Sequence, residues 1–430
     1  AYRQAVTPPT GPTMVVIDIE LQKEEAQDFN LPQFRPAAIE GLDTATAKTI
    51  AEKLLNASNP RLETGMFRTP EGIEAAVQLA ELIGASTSTT STAGPMGFPQ
   101  RHPLCGPGAE SNYDYVLGLE ANSPDLSLRR PIVNSITSQR DVMGIGFGSL
   151  REDYVPTPPG SEPTPLAQSQ RQPQGTVLEI DAQTSIPVII AELSRLITPA
   201  KQREIAQRKT RHTRANRENF LATLRAAVEE KKKGWDLSPV STARIYAELW
   251  PLIMDEDWCL ASPSNFSGAH HRELWEHNKP YSFLGTQGAA GMGYGPGASA
   301  GAALAARSRG RFVVNVQPDG DLNYAPGALW TAVHHELPML TVMHNNRAWH
   351  QEYMFIQYLA GVRGRGTDRG HIGCVLRDPF IDYSKMAQAY GMDSEGPIED
   401  PALLAAALGR GVESVKTGKP YLIDVVTQPR

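Results

Sequence analysis

The sequence predicts an α/β protein with two doubly wound parallel-sheet domains joined by a basic helical linker. Short apolar runs alternate with longer stretches whose apolar residues recur at helical spacing, the pattern of repeated strand–helix units. At 430 residues the chain is long enough for two or three domains, and its hydrophobic and charged fractions are those of a globular protein. A strongly charged helix-forming run, KQREIAQRKTRHTRANRENFLATLRAAVEEKKKG, separates the two alternating regions. The expected boundaries are 1–22 for an entry segment, 23–198 for the first α/β domain, 199–235 for the linker and 236–430 for the second.

Along the first region, MVVIDIE (Met14 to Glu20) reads as a short apolar strand after a Pro/Thr/Gly-rich lead. TAKTIAEKLLNAS and TPEGIEAAVQLAELIG read as helices, each opened by a threonine suited to capping. YDYVLGLEAN, RRPIVNSI and GTVLEIDAQ read as buried strands, and the Pro-, Ser- and Gln-rich stretch from Arg151 to Gln174 as an irregular surface excursion. The basic run that follows could engage an anionic tail, a nucleotide or another subunit. Interspersed acidic residues and the lack of an aromatic platform favour a solvated connecting helix.

In the second region, DWCLA reads as the first strand, followed by a loop and helix start, ASPSNFSGAHHREL. A glycine run, GTQGAAGMGYGPGASAGAALAA, then lets backbone approach a ligand and a small-residue helix pack closely. Next comes RFVVNVQPDGDLNYAPGALWTAVHHELPMLTVMHNNRAWHQ: a strand, an acidic glycine turn, a helix, a second strand and an Asn-Asn pair. A right-handed crossover places both strand ends on one carboxyl edge, so Asp319 and Asn346 can meet around one ion. Oxygen donors of this kind suit Mg²⁺, whose coordination is completed by phosphates and water. A diphosphate there would also be stabilised by free N–H groups at the following helix start. His334 and His335 end the intervening helix, where a cation is favoured by the helix dipole, and read as structural.

This unit resembles the Gly-Asp-Gly … Asn-Asn signature of thiamine diphosphate (ThDP) enzymes, especially the acetolactate synthase and benzoylformate decarboxylase group. Pro318 stands at the first glycine position, and Asp321 where the family has a small polar residue. The resemblance implies Mg²⁺ on Asp319, Asn346 and the Ala348 carbonyl, with Gly320 and Asp321 beside the diphosphate. It places Met292 under the bent cofactor and the Ala290 carbonyl against the pyrimidine amino group. Ser264, Asn265 and Ser267 become candidates for holding the diphosphate. His270 and His271 become candidates for proton transfer or carboxylate recognition, with at most one of the adjacent pair facing the pocket.

The same resemblance makes 23–198 the family's central Rossmann-like domain and 236–430 its diphosphate (PP) domain. Residues 1–22 resemble the exit of a pyrimidine-binding (PYR) domain, whose glutamate activates the cofactor. That domain is expected on a separate subunit, in a heterotetramer with two copies of each chain; the competing explanation is that the chain is a processed piece of a longer polypeptide. FAD is possible in the central domain but not predicted, since the glycine cluster expected near NPRLETGMFRTPEG is absent. The activity implied is making or breaking a C–C bond next to a carbonyl, on a 2-oxo acid or diketone. A non-catalytic regulatory or scaffold subunit is the alternative, supported by Pro318 and Asp321.

A net charge of −6 gives no reason to expect nucleic acid as a partner, and no apolar run approaches a membrane span. The first residues, AYRQAVTPPTG, lack a signal peptide's apolar core, and three dispersed cysteines fit neither a disulfide framework nor a zinc site. A reducing cytoplasm is the expected location.

Overall fold

The structure, a computed structural model, describes residues 1, 2, 5, 13–25, 41–65, 67, 69–89, 96–110, 112–121, 141–145, 176–178, 180–262, 270–285 and 291–428. The chain divides into two compact units, one holding 1–91 and 102–217, the other 92–101 and 218–430.

Before the first unit's sheet, the chain corrects one expectation. Met14 to Glu20 forms no strand, and a short helix, α1 (Ile19–Lys23), stands there instead, capped by Asp18. Val15, Val16, Ile17, Ile19 and Leu21 are all exposed. An apolar segment becomes a strand only where another strand offers it a ladder, and among the described residues none does so here.

The first unit contains α2 (Thr44–Asn56), β1 (Pro60–Thr64), α3 (Pro70–Ile83), β2 (Ser86–Thr89), β3 (Tyr115–Leu119), β4 (Asp141–Ile145), β5 (Thr176–Leu178) and α4 (Ala182–Leu196). Its five strands pair in parallel in the order β2-β1-β3-β4-β5. Asp43, not the expected Thr46, caps α2 by accepting from Thr46 N, and Asp181 caps α4 in the same way. Proline opens α3 and Gly84, at φ +62°, closes it. The expected strand RRPIVNSI and the excursion from Arg151 to Gln174 lie outside the described residues.

The basic run forms one long helix, α5 (Pro199–Lys231). It is not simply a solvated connector. Arg208, His212 and Asn216 are buried, and Arg208 donates to the carbonyls of Ala57, Ser58 and Ile83. His212 Nδ1 and Asn216 Oδ1 accept from the amides of Ala109 and Gly108. One face of this strongly basic helix thus satisfies loop and helix-end backbone groups of the first unit.

The second unit contains α6 (Thr242–Ile253), β6 (Trp258–Ser262), α7 (His270–Leu274), α8 (Tyr294–Arg307), β7 (Phe312–Pro318), α9 (Asp319–Leu322), α10 (Gly327–His334), β8 (Met339–Asn345), α11 (His350–Val362), α12 (Tyr383–Ala389), β9 (Asp393–Ile398), α13 (Leu404–Lys416) and β10 (Tyr421–Val426). Its parallel sheet runs β6-β7-β8-β10-β9. Alternate residues of each central strand enter two different cores. Val314, Val316, Val342, Ile423 and Val425 pack with Tyr246, Trp258 and Trp275, whereas Val313, Met339, Met343 and Leu422 pack with Ala300, Ala303, Leu322 and Tyr383. Coverage on both faces explains why these strands read as nearly continuous apolar runs.

Candidate active site at the carboxyl edge of the second sheet

β7 and β8 are neighbours, with Pro318 opposite His344, so the chain leaves both strands side by side. Pro318 ends β7 and serves as N-cap of α9 with φ −65°, a conformation proline already favours, so it costs the turn little. Asp319 then lies buried, with Oδ1 accepting from Gly320 N at 2.8 Å and Oδ2 from Ala348 N at 3.1 Å. Asn346 Oδ1 accepts from the same Ala348 amide at 3.1 Å. The carboxylate and the amide oxygen therefore converge on one point of the β8 exit.

That exit is shaped by Arg347, which takes the left-handed backbone at φ +59°. Its side chain ion-pairs with Glu399 and lies over the Phe380 ring at 4.0 Å from the centroid. The two asparagines diverge. Asn345 is buried and turned into the protein, whereas Asn346 is half-buried beside Asp319.

Burial pushes the Asp319 carboxyl up to about 7, against the lowering effect of its backbone hydrogen bonds. Its hydrogen-bond donors are amides, and no cationic side chain bonds to it among the described residues. A divalent cation would supply the counter-charge. Among the described residues no three His, Cys, Asp or Glu side chains group as metal ligands. A cation here would rest on one carboxylate, one amide oxygen and the Ala348 carbonyl, leaving positions for phosphate oxygens, which fits Mg²⁺ chemistry. Trp349 contributes a further polar group, since its Nε1 is buried without a hydrogen-bond partner. The same indole explains Gly320: a Cβ there would sit 2.5 Å from Trp349 Cδ1.

Asp321 is engaged by the glycine turn before α8. Its carboxylate accepts from Gly293 N at 2.5 Å, Gly295 N at 3.2 Å and Gln317 Nε2 at 2.8 Å. It caps α8, whose own N-cap, Gly293 at φ +87°, has no side chain to do so. Gln317 in turn accepts from Asn315, so a buried polar line runs along β7 to the glycine turn. Met292, just before that turn, is exposed rather than packed in a core.

The adjacent histidines separate. His271 is buried among Tyr246, His277 and Phe283, with Nδ1 3.1 Å from His277 Nε2. Desolvation holds its pKa well below the usual value, so the expectation of proton transfer or substrate recognition by His271 is corrected: it is a core residue. His270 is half-buried with its ring 5.8 Å from Tyr246. Ser264, Asn265, Ser267 and Ala290 lie outside the described residues.

The sequence reading missed the polar groups beneath the ligands. Asp424 of β10 is fully buried, with Oδ1 accepting from Asn345 Nδ2 at 2.9 Å and Oδ2 from Tyr383 N at 3.0 Å. Tyr383 Oη donates to the Asp319 carbonyl at 3.3 Å and accepts from Asn323 Nδ2 at 3.1 Å. The signal was present: a lone carboxylate inside YLIDVV, a strand buried on both faces, requires polar partners.

Fold and site define an α/β protein with clustered oxygen donors at the carboxyl ends of adjacent parallel strands, where such sheets bind ligands. Residues 266–425 match the family model "Thiamine pyrophosphate enzyme, C-terminal TPP binding domain". The chain is 29% identical over 195 residues to an acetolactate synthase large subunit of Mycobacterium tuberculosis, covering 45% of this chain and 32% of the relative. It is 29% identical over 145 residues to benzoylformate decarboxylase of Pseudomonas aeruginosa, covering 33% of this chain and 24% of the relative. The match thus spans about a third or less of these relatives' length. Among solved structures, benzoylformate decarboxylase from Polynucleobacter necessarius superposes with TM-score 0.64 at 16% identity, covering all of this chain and 73% of that one. The thiamine diphosphate-dependent 4-hydroxybenzoylformate decarboxylase of Rhodococcus jostii RHA1 gives TM-score 0.62 at 18% identity, with the same coverage. These two structures show the shared fold.

Proposed function

We propose that the chain is the metal- and diphosphate-binding subunit of a Mg²⁺- and ThDP-dependent enzyme that makes or breaks a C–C bond next to a carbonyl. Its substrate would be a 2-oxo acid or a diketone, used in decarboxylation, carboligation or cleavage. The observation that carries this reading is the convergence of Asp319 and Asn346 on the Ala348 amide within the TPP-binding segment.

Asp319, Asn346 and the Ala348 carbonyl would hold the cation, and Gly320 leaves backbone free to approach the diphosphate. Bound ThDP supplies a nucleophilic carbon and an electron sink for the carbon left by C–C cleavage. This chain's share is to fix the diphosphate end, through a carboxylate whose burial makes it responsive to a nearby cation. The turn after Met292 is held by Asp321, so the residue that would support the cofactor's bend is tied to the metal motif.

The glutamate that activates the cofactor is proposed to come from a PYR-type subunit. Helix α11 supports a partner here. It directly follows the metal turn and buries none of its residues, leaving Met354, Phe355, Ile356, Tyr358, Leu359 and Val362 exposed. The alternative of a non-catalytic scaffold loses support from Asp321, whose carboxylate is engaged by the glycine turn. Calorimetric titration with ThDP and Mg²⁺, with the partner present, tests the proposal. Binding should require Mg²⁺ and vanish in Asp319→Ala; unchanged ThDP affinity in that variant overturns the metal assignment.

A further inference from the structure

Both ligand-bearing segments rest on one buried carboxylate. Asp424 lies in β10, next to β8, with Val426 opposite Asn345. Oδ1 takes the Asn345 Nδ2 hydrogen, which leaves Asn345 Oδ1 directed to Arg347 N at 3.3 Å. That second bond closes the left-handed turn on which Asn346 and Ala348 sit. Oδ2 takes the Tyr383 amide at the start of α12 and so holds the residue whose hydroxyl meets the Asp319 carbonyl. Gly396 permits the arrangement, because a Cβ there would lie 2.5 Å from the Asp424 carbonyl oxygen and 2.9 Å from its Cβ.

We propose that Asp424 is the positioning residue of the cation site, setting Asn346 and Ala348 through Asn345 and bracing Asp319 through Tyr383. The inference rests on the metal assignment made above. Every polar group in the relay is used once in a fixed direction: Asn345 donates to Asp424 and accepts from Arg347, while Asp424 accepts on both oxygens. An outer partner of this kind typically changes metal affinity by ~10–100-fold when removed.

Directionality supplies a test that a general packing role would fail. In Asp424→Asn, the new amide cannot accept from both Asn345 and Tyr383, so one bond becomes a donor–donor clash. In the exchanged pair Asn345→Asp with Asp424→Asn, all bonds are restored. The amide now at position 424 donates to the carboxylate at 345 and accepts from Tyr383 N, while that carboxylate still accepts from Arg347 N.

The readout is the Mn²⁺ or Mg²⁺ concentration giving half-maximal ThDP binding, measured calorimetrically on the assembled complex alongside the melting temperature. Asp424→Asn is expected to raise it ~10–100-fold. The exchanged pair should return it to within about threefold of the original, well below the ~10–100-fold change of the single variant. A folded Asp424→Asn with unchanged half-saturation overturns the proposal, as does a folded exchanged pair that binds cation no better than the single variant. If Asp424→Asn does not fold, the exchanged pair compared with the original protein decides alone. Asp319→Ala run in parallel separates the two ideas: retained cation-dependent binding in that variant defeats the metal assignment, whereas its loss with an unaffected Asp424→Asn defeats only the relay.

Discussion

Asp321 shows how a residue that breaks a family pattern can still serve the site. Its two oxygens take Gly293 N and Gly295 N, the first free amides of α8, together with an amide hydrogen of Gln317. Asp321→Ala should therefore cost about 0.5–2 kcal/mol, the usual range for a lost cap. Urea denaturation would measure it, and limited proteolysis should show faster cleavage near Met292; an unchanged midpoint and cleavage rate would contradict the capping role. The oxygen donors of the candidate site were legible from sequence, because Asp319 and Asn346 follow recognisable strands. Their surroundings were not. Whether Asp321 faces a phosphate or a glycine amide depends on a side chain's direction after a tight turn, which residue spacing leaves undetermined.

At the scale of elements, the strongest sequence signals were the buried strands of the second unit and the helices α2 and α3, where apolar residues recur at helical spacing. Met14 to Glu20 failed because local β propensity cannot supply a pairing partner. The long helix α5 was identified as a helix, yet its buried face was hidden by Arg208, His212 and Asn216, polar residues that spend their hydrogen bonds on backbone groups. The α7 region carries a pH prediction. Desolvation lowers the His277 pKa to about 4 and holds His271 well below its usual value. In the unfolded chain both would take protons near pH 6.5, so the unfolded state binds more protons between about 6.5 and 4. Stability is therefore full above that window and falls as pH drops through it, by of order 3 kcal/mol for His277 alone. Thermal unfolding from pH 7.5 to 4.5 should show the decline, with a shallower slope in His277→Gln. A flat profile would mean that the pair is not held neutral.

At the scale of the whole molecule, two domains with parallel sheets were foreseeable from alternating apolar runs and helical stretches; that each sheet has five described strands was not. Where the compact units divide was not: the boundary falls inside α5, between residues 217 and 218, and residues 92–101 group with the second unit. Continuous helical sequence carries no mark of such a division. The proposed partnership makes its own prediction here. The native complex, isolated from its source and weighed by mass spectrometry, should contain two copies of this chain and two of a PYR-type subunit. A fully active assembly containing only this chain would defeat that proposal.

The polar line on β7 has a further consequence for how the protein finds its structure. Asn315 and Gln317 occupy alternate positions of a strand hydrogen-bonded on both sides, and they reach Asp321 from one face. Sliding β7 by one residue against its neighbours would swing both amides to the opposite face, among apolar side chains. Each amide buried without a partner would cost ~1–3 kcal/mol. Misregistered pairings are thus penalised by the same groups that hold the glycine turn in place. A strand of valines alone would be more forgiving of such slippage, and it would deliver Asp319 to the sheet edge less reliably.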